Sequence, residues 1–105
     1  MSTEVRIAGQ GTVHAMGIWL AAVEYSFLQN AQDEIEAKIY VTNGERDLSP
    51  NSIFAEEMIL ELEDGRWGRM TTLAGAVGSG VYRIRIEGGW RAASLHDTLV
   101  HNSFH

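Results

Sequence analysis

Cysteine is absent from these 105 residues, which excludes disulfide frameworks, thiolate metal sites and cysteine nucleophiles together. Proline occurs once, at Pro50, so no proline-rich linker divides the chain. Lysine is also scarce. Seven of the eight basic residues are Arg, and fourteen acids outweigh them to leave a net charge of −6. That balance argues against nucleic acid, because a phosphate-binding face needs an excess of Lys and Arg. Long apolar runs are missing too. The longest, "IWLAAV", is far short of a membrane span, and "MSTEVRI" lacks the basic start and apolar stretch of a signal peptide. These absences predict a single cytoplasmic domain over 1–105 with no membrane or nucleic-acid partner. The 45% hydrophobic content supports one ordinary core.

The charge that is present is segregated. Residues 33–64 hold ten acids against Lys38 and Arg46, whereas residues 66–91 hold five arginines against Glu87. Acidic and basic strands facing each other across one sheet account for this, each pair contributing about 0.2–1 kcal/mol. The other reading is an Arg face presented to a partner, since Arg suits bidentate pairing with carboxylates or phosphates.

Hydropathy periods give the elements. "EVRIA" reads as a strand, and "IEAKIYV" alternates Ile35, Ala37, Ile39 and Val41 inward against Glu36, Lys38 and Tyr40. Between them Val13, Met16, Leu20, Val23 and Phe27 recur at spacings of three and four, which predicts an apolar helix over about 13–30. Gly17 and the β-branched residues there leave a bent strand as the alternative. In "MILELEDGRWGRMTTL", Asp64-Gly65 predicts a hairpin over 58–73, with Gly65 left-handed in a three-residue loop of Asp64, Gly65 and Arg66 and with Glu61 opposite Arg69. "YRIRIEGGWRAAS" predicts a second hairpin over 81–94, turning at Gly88-Gly89-Trp90. Ser94 and Asp97 resemble a capping box and predict a short terminal helix, unless residues 97–105 fray. Together these predict an α+β fold with a mainly antiparallel sheet packed on one helix; the alternative is an all-β barrel or sandwich.

Chemistry-bearing motifs are few. Gly9 and Gly11 after a strand resemble the opening of a dinucleotide-binding loop. The third glycine of that fingerprint is replaced by His14, however, and the nearest acid at a strand tip, Glu45, stands 36 residues after Gly9 where about 20 are usual. The pair reads as a turn, and no cofactor is expected. "AGAVGSG" lacks the Lys-Ser or Lys-Thr of a phosphate cradle. Asp97, His101 and His105 have helical metal-ligand spacing but fall at the end of the chain, so no metal is expected. His14 is a candidate general base, with Glu24 or Asp97 as its partner.

Two function classes follow. The first is a small, soluble, acidic, non-catalytic interaction protein. It forms a homo-oligomer, a dimer in the simplest case, or binds a protein partner through Trp67, Trp90, Arg69, Arg83, Arg85 and Arg91, residue types enriched at interface hot spots. The alternative is a small-molecule binder or cofactor-free enzyme with a pocket between sheet and helix, lined by His14, Met16, Trp19, Tyr25 and Phe27.

Overall fold

A computed structural model describes residues 5–28, 34–52 and 58–92. Six strands, β1 (Arg6–Ala15), β2 (Ile18–Leu28), β3 (Glu34–Gly44), β4 (Met58–Glu61), β5 (Trp67–Ala74) and β6 (Val81–Arg91), close into an antiparallel barrel in the order β1-β2-β3-β6-β5-β4. Inward side chains meet rung by rung: Phe27 faces Ala37, which faces Ile84, and Ile35 faces Ile86, which faces Met70. Closure is made where Val13 of β1 pairs with Leu60 of β4, both fully buried. A closed barrel leaves few strand edges to be covered, which suits a short chain.

The α+β expectation is overturned, because the described residues contain no helix and the barrel alternative is the fold adopted. The span 13–28 is the end of β1, a two-residue turn at Met16-Gly17, and β2. Its three-and-four spacing arises from two interruptions of a strand period. The turn breaks it at Met16, and a bulge skips Leu20 opposite Val13 and His14; thereafter Val23, Tyr25 and Phe27 point inward while Glu24 and Ser26 point outward. Ile18 and Trp19, which lie off that spacing, are both exposed.

The second hairpin, at 81–94, is likewise corrected. β6 runs unbroken to Arg91, and Gly88 and Gly89, both at φ +75, take up extra residues in a bulge between the Arg69↔Glu87 and Trp67↔Arg91 pairs. The first hairpin forms between β4 and β5 with Gly65 left-handed at φ +92. Its register differs by two residues from the expected one, Glu61 facing Trp67, so every side chain keeps its face. Leu62 N–H bonds Arg66 C=O at 2.7 Å, making Glu63, Asp64 and Gly65 the loop. The expected helix and metal spacing in 94–105 lie outside the described residues.

Both barrel ends are plugged. At one, the polar turn after β3 drops Leu48 fully inside; the buried Thr72 hydroxyl donates to its carbonyl at 2.6 Å, and the Tyr82 hydroxyl donates to Arg46 C=O. At the other, Tyr25 stacks on Phe27 with centroids 6.0 Å apart, and Trp90 closes over Phe27 at 5.2 Å.

Candidate functional site

With the interior filled by Val13, Val23, Tyr25, Phe27, Ile39 and their neighbours, any site on the described residues lies on the outer surface. The expected pocket between sheet and helix does not exist, since its helix does not. Its candidates are scattered: Tyr25 and Phe27 are core, Met16 and Trp19 are exposed, and His14 is buried in the β1–β4 seam. Of the Trp and Arg candidates, Trp67 and Arg91 are cross-strand neighbours on the β5–β6 ladder that also carries Arg69, Arg83 and Arg85, and Trp90 stands apart. Trp90 closes the core, its indole N–H buried with no hydrogen-bond partner among the described residues, and Trp67 is half-buried with the Arg91 guanidinium 5.3 Å from its ring centre. Arg69, Arg83 and Arg85 line the outer face of β5 and β6 opposite Glu87, Lys38 and Glu36 respectively, and Arg83 Nε lies 3.5 Å from a Glu36 oxygen. Two of the three pairs set acid against base, and Arg83, directly opposite Lys38, reaches Glu36 instead. Exposed pairs of this kind contribute under about 1 kcal/mol each.

Three outward features remain. The first is the β1–β2 hairpin tip, where Met16, Ile18 and Trp19 are 67, 56 and 46% exposed. Met16 holds φ +52 and Gly17 φ +78, the double positive φ of a type I′ turn, whose favoured first residue is Asn, Asp or Gly. Methionine in that place carries a left-handed penalty of about 1–2 kcal/mol. A strained residue presenting an apolar side chain to water marks a candidate functional position.

The second is the β1–β4 seam. His14 Nε2 is hydrogen-bonded to the Thr12 hydroxyl at 2.9 Å and lies 3.7 Å from Glu61 Oε1, with both ionisable side chains largely buried. The carboxylate beside His14 is therefore Glu61. Glu24 lies on another rung of the ladder. Among the described residues no group of three or more His, Asp or Glu is placed to hold a metal.

The third is a groove of about 780 Å³ on the outer face of β1, β2 and β3. Two adjacent rungs make it: Gln10, Glu24 and Tyr40 stand side by side, then Ala8, Ser26 and Lys38. Glu63, reaching over from the β4–β5 loop, forms a wall. Its Oε1 accepts Gln10 N–H at 2.8 Å where β1 has run beyond β4, so a side chain replaces the missing strand partner. The buried Tyr25 hydroxyl accepts Glu63 N–H at 3.4 Å from beneath the same point. Burial raises the Tyr25 phenol above its ordinary pKa; that hydrogen bond opposes the shift and the Glu63 charge adds to it.

The groove residues and Ile18 had no signal in the linear pattern. Which outward residues share a rung depends on register, and two bulges set it. The Met16-Gly17 turn did carry a signal, a Gly preceded by a residue poorly suited to its conformation. Compared with protein-family models, with curated proteins and with solved structures, the chain matches none.

Proposed function

We propose that this protein is a non-catalytic interaction domain that self-associates through the apolar β1–β2 hairpin tip. The observation that carries the reading is the tip itself: three large apolar side chains within four residues, all exposed, at a turn that accepts backbone strain to present one of them. Trp and Met are enriched in interface cores, and an isologous contact places the same patch on both partners. Charge does not bar a second copy at the tip. Two chains of net charge −6 repel across most of their surfaces, but the patch of Met16, Ile18 and Trp19 has no charge of its own and opposes its copy without cost.

Native mass spectrometry of the purified chain against its Ile18→Asp variant tests this. Dimer masses for the parent and monomer masses for the variant are expected. A parent chain that stays monomeric into the millimolar range overturns the reading.

A further inference from the structure

The outer groove lies apart from the hairpin tip, and its chemistry is different. We propose that it binds a free basic amino acid, arginine or a close analogue, with the cationic groups facing Glu24 and Glu63 and the carboxylate facing Lys38.

The argument begins with shape. Ala8, Ser26 and the Gly9 backbone leave a low floor, while Tyr40 and Glu63 stand as walls; about 780 Å³ lies within the range of small-molecule sites. Gly9 lets the Glu63 carboxylate approach β1, because a Cβ there would come within 2.1 Å of Glu63 Oε1.

Charge then selects the ligand. Glu24 and Lys38 each make no hydrogen bond or ion pair among the described residues, although both line a cavity. Across the strands Arg85 faces Glu36 and Arg69 faces Glu87, whereas Glu24 sits between Gln10 and Tyr40, and Lys38 between Ser26 and Arg83. Two carboxylates and one ammonium complement a ligand with two cations and one anion, the charge set of arginine or lysine at neutral pH. The acidic rung and the Lys38 rung are two residues apart, about 7 Å along the strands. An extended arginine separates its carboxylate from its guanidinium by a similar length.

Tyr40, 54% exposed and directly opposite Glu24, adds an aromatic face. A planar guanidinium stacks on such a ring while its edge bonds a carboxylate, which makes arginine the better probe.

The test is titration of the full chain with L-arginine, agmatine, norvaline and N-acetyl-arginine amide, followed by calorimetry and by amide chemical shifts. Arginine is expected to bind saturably and to shift Gln10, Glu24, Ser26 and Tyr40. Glu24→Gln should weaken it about tenfold, and Lys38→Gln should weaken arginine while leaving agmatine unchanged. Both substituted side chains point to solvent, so folding is retained and the spectra verify it. No saturable shift with arginine, equal binding of norvaline or of the blocked amide, or indifference to Glu24→Gln would each overturn the proposal. Dimerisation at the tip is read separately by mass, and either result can stand without the other.

Discussion

The Glu63 carboxylate occupies the place beneath Gly9 that a β-carbon would fill: a Cβ there would lie 2.1 Å from Oε1 and 2.6 Å from the Tyr25 hydroxyl. Two residues along, a Cβ on Gly11 would meet the Glu61 carbonyl at 2.3 Å. The two glycines that resembled a nucleotide loop are therefore there for close packing of the seam between β1 and β4.

The two sites should respond differently to alanine. At Gly9 the nearest obstacle is the end of a flexible side chain, which can swing away, so Gly9→Ala should cost about 1–3 kcal/mol and release the Gln10 amide to fast hydrogen exchange. At Gly11 the obstacle is backbone of the closing strand, and Gly11→Ala should cost more. Chemical denaturation of both variants measures the order. Equal losses would mean that Glu63 is held as rigidly as the β4 backbone.

The strands were legible only where nothing interrupted the period of two. β3 alternates cleanly and matched its reading, and Asp64-Gly65 placed the β4–β5 turn because only a left-handed residue completes that loop. Residues 13–28 failed because a turn and a bulge shifted the phase twice within eight residues, imitating 3.6. Gly88-Gly89 failed for another reason. Two adjacent left-handed glycines suit a hairpin turn or a bulge equally, and only pairing of β6 with β3 and β5 on its two sides decides between them. Of the candidate site, the exposed tip residues Met16 and Trp19 were named, but as pocket lining; the groove needed the register.

Leu48 should prove the keystone of one barrel end. Leu48→Ala removes a fully buried side chain from the plug and should cost about 2–5 kcal/mol. Thr72→Val keeps the shape but leaves the Leu48 carbonyl without its 2.6 Å donor, at about 1–3 kcal/mol. Because the side chain and the hydrogen bond anchor the same turn, the double variant should lose less than the sum in a thermal-unfolding cycle. Strict additivity would show that the turn after β3 is anchored elsewhere.

Alkaline stability should fall through Tyr25. Burial raises its phenol above the ordinary value, so the unfolded chain releases this proton first and unfolding is favoured as pH rises beyond about 10. Tyr25→Phe removes that component. Its stability should decline less steeply than the parent's between neutral pH and pH 11, a comparison that denaturant midpoints provide.

Acid acts oppositely at Asp64. The Arg66 backbone N–H at 3.0 Å and then its guanidinium at 2.8 Å hold the Asp64 carboxyl below its ordinary value. A depressed folded pKa gives stability that is present above the usual carboxylate range and lost as pH falls through the folded value. The pair is about half exposed, so Asp64→Asn should cost less than about 1 kcal/mol at pH 7. The gap between variant and parent should close as the solution is acidified, and a gap that persists at pH 2 would assign the effect to turn geometry rather than charge.

Met16 separates folding from function most directly. Its φ of +52 is unfavourable for methionine and readily adopted by asparagine, the residue a type I′ turn before glycine prefers. Met16→Asn should therefore stabilise the monomer by about 1 kcal/mol, since the side chain it removes is 67% exposed and little packing is lost. The same change takes an apolar group from the centre of the tip patch and should weaken self-association. A more stable chain that associates less is the signature of a residue kept for its partner at the expense of its own fold. Thermal unfolding and dimer dissociation measured on one preparation give both numbers; a variant less stable than the parent would place Met16 in the packing of the barrel and remove strain as an argument for the interface.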